Sequence, residues 1–295
     1  MQQLSQNAGM VWMVKPALFY SNPQTSASNS FQKAVDSNLQ EKAMVEFDNM
    51  VDSLIRNKVH IIVSECEDDE APDAIFPNNW ISFHHDKSII KYPMMAENRR
   101  RERKIELPFF PDRVVDLTSF EDEGMFLEGT GSIVFDHVHR KAYASESIRT
   151  DYSLLSMVCD ELNYTPIRFS AVDKKGLAVY HTNVVMHIGH GYVLIALEAI
   201  PSLEDRNFLV NSFTNDGLAI IEISTDQMEC FAGNMLQLMN IDDERITICS
   251  TTAFDSLTLA QVDQLQQHTL LVPIDVSAIE LLGGGSVRCM MAEIF

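Results

Sequence analysis

The chain has 295 residues, 46% of them hydrophobic, with 42 acidic side chains against 22 basic ones and a formal net charge of −20. That is enough apolar content for one large core or two ordinary ones. The acidic balance argues against a nucleic-acid surface and favours solubility, but it identifies no small ligand, because local groups decide that.

The opening Met1-Gln2-Gln3-Leu4-Ser5-Gln6 has neither a basic region nor a long apolar run, so it does not read as a signal peptide. No apolar run approaches the ~20 residues that span a bilayer. The five cysteines (Cys66, Cys159, Cys230, Cys249 and Cys289) are odd in number, scattered and without a CxxC pair. This usage points to a reducing compartment, with a cytoplasmic location as the default, and away from a disulfide framework or zinc knuckle.

In chain order, residues 29–58 predict a helix, His60-Ile61-Ile62-Val63 a short strand, and residues 65–70 an exposed acidic loop. Phe76-Pro77-Asn78-Asn79-Trp80-Ile81-Ser82-Phe83 reads as a small polar turn running into a strand, and residues 99–104 as a solvated helix start. The turn-and-strand design returns over residues 126–135, which contain Glu128-Gly129-Thr130-Gly131, and in Tyr180-His181-Thr182-Asn183-Val184-Val185-Met186. It returns again in Phe231-Ala232-Gly233-Asn234-Met235-Leu236 and in residues 282–290, where Gly283-Gly284-Gly285-Ser286 leads into an expected strand Val287-Arg288-Cys289-Met290. Helices are expected over residues 151–162, 202–216, 226–239 and 257–268, the last capped by Ser256, and strands at Tyr192-Val193-Leu194-Ile195 and Leu218-Ala219-Ile220-Ile221-Glu222-Ile223.

Aligning Asn79, Gly131, Asn183, Asn234 and Ser286 gives successive intervals of 52, 52, 51 and 52 residues. A repeat of this length, holding strands and one helix, is too small to bury its own core, so five must close around an axis. The expectation is one α/β domain over residues 1–295, a propeller with fivefold pseudosymmetry of strand-strand-helix-strand repeats. Its polar turns would converge near the axis and bring Asn79, Glu128, His181, Asn183 and Cys289 face to face. A cysteine with a histidine and a carboxylate is the set needed for a thiolate nucleophile served by an oriented acid/base.

These residues and this period resemble the guanidine-modifying enzymes of the pentein fold: arginine deiminases, dimethylarginine dimethylaminohydrolases and amidinotransferases. Phe76-Pro77-Asn78-Asn79-Trp80, Tyr180-His181-Thr182-Asn183 and Asn29-Ser30-Phe31-Gln32 look most like the citrulline-utilising hydrolase branch. The resemblance implies Cys289 as nucleophile, His181 as acid/base and Glu128 as the carboxylate that orients it. It further implies that Arg149, in Ser147-Ile148-Arg149-Thr150, holds the substrate α-carboxylate, with Arg99 a second candidate, and that Asp73, in Pro72-Asp73-Ala74-Ile75-Phe76, contacts the amino-acid end.

Two positions depart from the pattern. Guanidine-binding members usually carry an acid at the position of Asn79, and deiminases often another at that of Asn183. A guanidinium is a cation with only donors and is best matched by carboxylates, whereas a neutral ureido group offers a carbonyl that an amide can serve. The expectation is therefore hydrolysis of citrulline to ornithine, ammonia and carbon dioxide through a thiocarbamoyl-enzyme, with an imidazolium assisting the thiol. An arginine-type deiminase or dihydrolase, an amidinotransferase and a non-catalytic binding protein on the same propeller stay open as alternatives. The pairs His84/His85, His137/His139 and His187/His190 lack a carboxylate or cysteine at a recognised spacing, so no metal and no cofactor are expected. The only partner expected is a small amino-acid substrate, with no nucleic acid and no membrane, and a homodimer left open.

Overall fold

The computed structural model describes residues 4–26, 28–32 and 38–295. Short β-branched runs such as Ile61-Ile62-Val63 and Ile246-Thr247-Ile248 crowd a helix but pack well on a pleated sheet, and they form strands. The chain begins with β1 (Met10–Pro16) and β2 (His60–Cys66). Three complete blades follow: β3 (Ile81–Phe83), β4 (Ser88–Lys91) and β5 (Arg113–Asp116); β6 (Val134–Asp136), β7 (Lys141–Ser145) and β8 (Thr165–Phe169); β9 (Met186–Gly189), β10 (Tyr192–Ile195) and β11 (Ala219–Glu222). A fourth consists of β12 (Leu236–Met239), β13 (Arg245–Ser250) and β14 (Leu270–Ile274), after which β15 (Ala292–Ile294) returns to the start of the chain.

In each of these four blades the first strand is antiparallel to the second and the second parallel to the third. The fifth blade has the order β15-β1-β2, with Trp12 opposite Ala292 and β1 parallel to β2, so the two ends of the chain complete one sheet. A parallel step needs a crossover. Helices Asn38–Arg56, Tyr152–Leu162 and Leu203–Asn215, the 3-10 segment Glu97–Lys104, and the pair Thr251–Ser256 and Leu259–Gln266 supply them. The fivefold strand-strand-helix-strand design read from the repeat is the architecture observed.

Between blades the chain makes a short helical turn: Pro77–Asn79, Gly129–Ser132 and Thr182–Val185 in the first three, with hydrogen-bonded turns at residues 231–233 and 287–290 in the last two. Neighbouring turns are stitched together. Asn78 Nδ2 donates to Thr130 Oγ1 at 3.2 Å, and Thr182 Oγ1 donates to the Ser132 carbonyl at 2.6 Å. Asn234 Nδ2 donates to the Asn183 carbonyl at 3.1 Å, and the Arg288 N–H to Asn234 Oδ1 at 3.1 Å. The approach is close enough that a Cβ on Gly129, whose φ is +48°, would stand 2.2 Å from the Asn78 carbonyl oxygen.

Several local expectations fail for identifiable reasons. Within the stretch 29–58 the helix begins at Asn38; residues 29–32 form turns, and the expected helical residues 33–37 lie outside the described residues, as do Met1 to Gln3. The stretch 226–239 splits into a helix Thr225–Glu229, the blade turn and strand β12, because its apolar residues serve two periods. Ser256 ends one helix; Thr258 caps the next, sharing a capping box with Gln261. Cys289 lies in a turn and not in a strand, the closing strand beginning at Ala292. Glu65 belongs to β2 rather than to an exposed loop. Arg99 and Glu102 are buried, against the expectation of a solvated helix start.

The segment carrying Cys289 is anchored by a buried carboxylate on the first crossover helix. Glu46 accepts the N–H groups of Ala278 at 2.9 Å and Ile279 at 3.1 Å, at the start of helix Ser277–Gly283. Glu46→Ala should therefore lower unfolding free energy by about 2–3 kcal/mol, since it orphans buried donors that met a charge. Asp48→Ala, which removes only the exposed Lys15 ion pair, should cost less than about 1 kcal/mol in the same urea titration.

Candidate active site

The blade turns place their side chains on the axis. Glu128 precedes the turn Gly129–Ser132, where its backbone N–H is held by the Arg149 carbonyl at 3.2 Å and Ser132 Oγ at 3.1 Å. Its carboxylate is fully buried. Oε1 accepts the Met95 N–H at 3.2 Å, while Oε2 accepts from His181 Nε2 at 2.8 Å and from Arg149 Nη1 at 3.3 Å. Burial opposes the charge, yet Arg149, His181 and Arg99 together hold this carboxyl far below the usual carboxylate range.

His181 occupies the same place in the next turn, N-terminal to Thr182–Val185. Burial pushes its imidazole down to about 4, against the pull of Glu128. An ionised Glu128 requires a proton on Nε2, so Nδ1 is the free nitrogen. Nδ1 stands beside Gly131: a Cβ there would lie 2.7 Å from it and 2.6 Å from Asn79 Nδ2. The expected imidazolium is therefore not the resting partner of the thiol. Two carboxamides are, since Asn234 Nδ2 lies 3.3 Å and Asn183 Nδ2 3.6 Å from Cys289 Sγ.

At the other end, Asn79 Oδ1 accepts from Arg99 Nη1 at 2.7 Å, and Arg99 is forked onto Glu102 through Nε at 2.7 Å and Nη2 at 3.0 Å. Asp73 Oδ2 accepts from Asn22 Nδ2 at 2.8 Å and Thr25 Oγ1 at 3.3 Å, while Oδ1 is buried with no partner; burial pushes this carboxyl up against the pull of Arg99. Arg149 Nε is likewise buried and unpartnered, although Nη2 holds the Thr25 carbonyl and Ser28 Oγ. The cavity between these groups is about 20 Å³, with Asp73, Asn79, Arg99, Arg149, His181 and Cys289 on its walls.

Six of the eight residues singled out from sequence thus surround one cavity; Glu128 reaches it through His181, and Asn183 through the Cys289 sulfur. Thr25 and Asn29 line the cavity from the segment after β1, and Arg99 from the 3-10 segment Glu97–Lys104. Asn234 was aligned in the repeat but assigned no task; its register alone was the available signal. Glu102 lies three residues after Arg99, and that spacing was its signal, whereas Asn22 and Thr25 carried none. Elsewhere, Asp136, His139 and Asp216 gather within ligating distance of one another, but His139 bonds Asp136 and Lys141 bonds Asp216. Of the three histidine pairs, His139 alone belongs to such a set among the described residues, and none of the described helices is long and apolar enough to cross a membrane.

The model of the family described as N,N dimethylarginine dimethylhydrolase, eukaryotic, matches residues 15–295. No curated protein sequence matches the chain. Among solved structures, the N-terminal domain of ArgZ, an arginine dihydrolase from the ornithine–ammonia cycle in cyanobacteria, superposes with a TM-score of 0.71 at 14% identity over 97% of both chains. AgrE in complex with L-arginine gives 0.71 at 13% identity over 97% of this chain and 40% of that one. A dimethylarginine dimethylaminohydrolase bearing an adduct with S-methyl-L-thiocitrulline gives 0.65 at 17% identity over 97% of this chain and 100% of that one. These likenesses show a shared fold.

Two tests follow from this geometry. Gly131→Ala should leave the fold intact by circular dichroism yet reduce any turnover at the site by about 100-fold, because its methyl must displace either Asn79 or His181. His181, with His84 held at about 4 and His187 at about 3, is charged in the unfolded chain below about 6.5 but neutral when folded. Stability should therefore be fully present above pH 6.5 and decline as pH falls toward 4. His181→Asn should make that decline shallower in pH-dependent urea denaturation.

Proposed function

The chain belongs to the N,N dimethylarginine dimethylhydrolase family, and with it to the guanidine-modifying pentein superfamily of C–N hydrolases; from that premise we propose that it hydrolyses the ureido group of citrulline, with Cys289 as nucleophile. One observation carries the choice of substrate. Among the described residues, the only carboxylate on the cavity wall is Asp73, whereas two guanidiniums, Arg99 and Arg149, stand there with the amide of Asn79. With Arg149 serving the amino-acid end, a buried guanidinium head would meet the Arg99 charge behind Asn79 and would forgo charge-assisted bonds worth roughly 1.5–3 kcal/mol each. A neutral ureido head forgoes nothing.

In this reading Arg149 Nε and Asp73 Oδ1, both buried without partners, receive the α-carboxylate and the α-ammonium. Seating a whole amino acid in a cavity of about 20 Å³ requires Thr25 and Asn29 to part from Arg149 and Gly284 on entry. The Cys289 sulfur, stabilised as an anion by the Asn183 and Asn234 N–H groups, attacks the ureido carbon. The C–N bond to ornithine breaks, its electron pair stays on nitrogen, and His181 delivers the proton there after taking it from the thiol. Water then attacks the carbamoyl thioester with His181 Nδ1 as base, freeing the sulfur and carbamate, which falls apart to ammonia and carbon dioxide. Glu128 keeps the imidazole in its tautomer throughout.

The unpartnered Oδ1 of Asp73 also favours a second reading, hydrolysis of arginine or a methylarginine, in which that carboxylate faces the guanidinium. ArgZ and the dimethylarginine dimethylaminohydrolase act on such groups by name. An amidinotransferase would require an acceptor amine, and a non-catalytic binding protein would leave Cys289 unreactive. The products separate all four: citrulline should yield ornithine and ammonia in equal amounts without added amine, while arginine should yield neither citrulline nor ornithine. Cys289→Ala should abolish turnover yet bind citrulline by calorimetry, and turnover above about one-thousandth of the wild-type rate would rule out this nucleophile.

A further inference from the structure

Arg99 has a task that its place on the cavity wall does not by itself disclose. Its guanidinium is fixed from behind by a two-point fork onto Glu102, which is fully buried, and by the carbonyls of Asp73 at 3.3 Å and Phe76 at 3.1 Å. The group is planar and carries only donors. The side chain that meets Nη1 at 2.7 Å is the carboxamide of Asn79, and against a donor the amide must present its oxygen. The amide nitrogen is thereby turned the other way. Nδ2 gives one hydrogen to Asn78 Oδ1 at 3.1 Å and stands, with His181 Nδ1, around the same point above Gly131. An amide left to itself can rotate by half a turn and offer either a donor or an acceptor; here Arg99 removes that freedom.

We propose that Arg99 is a positioning residue that sets head-group specificity, by locking the Asn79 amide with its N–H toward the reacting centre. This rests on the ureido reading and deepens it. A fixed donor at that point satisfies the oxygen of a ureido group and the negative charge that develops on it during attack. The same donor opposes a guanidinium, which has hydrogens at every corner. Arg99 Nη1 also supplies a positive charge beyond the amide, so a carboxylate placed at this position would be drawn to Arg99 and away from the ligand.

The test measures kcat/KM for citrulline and for arginine, with the affinities of both taken in a Cys289→Ala background. Arg99→Lys retains the buried charge opposite Glu102, but a single ammonium cannot fork onto that carboxylate and also hold Asn79. The citrulline-to-arginine ratio should fall by about tenfold or more, mostly through kcat, in a variant that still unfolds cooperatively. An unchanged ratio in the folded variant overturns the proposal. Should Arg99→Lys fail to fold, the pair Arg99→Gln with Glu102→Gln removes both charges, and the same ratio decides.

Asn79→Asp gives an independent check with Arg99 untouched. Its carboxylate should stay on Arg99, so citrulline turnover is lost while arginine affinity rises less than about threefold. A rise of about tenfold or more means that Arg99 does not govern this side chain, and that result also overturns the proposal. Preference of the unmodified protein for arginine would instead sink the ureido reading itself. A preference for citrulline that survives every Arg99 variant would sink only the role assigned to Arg99.

Discussion

The contact on which this architecture depends is the backbone-to-backbone approach of the five blade turns around the axis. Gly129 lies against the Asn78 carbonyl so closely that a Cβ would sit at 2.2 Å, and Gly233 lies against the Val184 carbonyl at 2.1 Å by the same measure. Such proximity leaves no room for water between the turns, so their polar groups must satisfy one another. The side chains of Asn78, Thr182 and Asn234 do so across three junctions. The tight ring also has a chemical consequence: whatever each turn projects inward is desolvated and immobile. A carboxylate, an imidazole and a thiol on three different turns become one constellation without any being near another in sequence.

Desolvation then decides which charges survive. Glu128 stays ionised because Arg149 and His181 face it, and His181 stays neutral because burial outweighs that one carboxylate. The centre thus holds an oriented neutral base beside a sulfur surrounded by amides. Cations are confined to the far wall, where Arg99 is compensated by Glu102 and Arg149 by Glu128. A buried ion pair broken on one side costs several kcal/mol. The wall therefore resists the very substitutions that would convert it to an acidic one.

Much of this was legible in the sequence, and the limits have physical causes. The period of about 52 residues was visible because each blade repeats the same polar turn, and period alone predicted that Cys289, His181 and Glu128 converge. Local periodicity misread residues 226–239, where an amphipathic helix pattern runs straight through a blade turn into β12. The burial of Arg99 was hidden because a run of arginines is ordinarily solvated, and only tertiary structure supplies the Glu102 and Asn79 that make burial tolerable. The contributions of Asn22 and Thr25 were invisible for a different reason: they lie outside the repeat, on a segment that reaches the site across space.

The position of the nucleophile ties chemistry to completion of the fold. Cys289 lies in the turn before β15, and among the described residues β15 is hydrogen-bonded only to β1, through Met10↔Ile294 and Trp12↔Ala292. That pairing closes the ring and holds in place the turn whose sulfur lies against Asn183 and Asn234. Such a pairing, between the most distant parts of the chain, carries the largest loop-closure entropy and forms late unless earlier blades have already brought the ends together. Those earlier blades also carry Glu128, His181 and the two amides. The acid/base pair thus belongs to blades built from pairings local in sequence, and the thiol to a turn held by the strand that closes the ring.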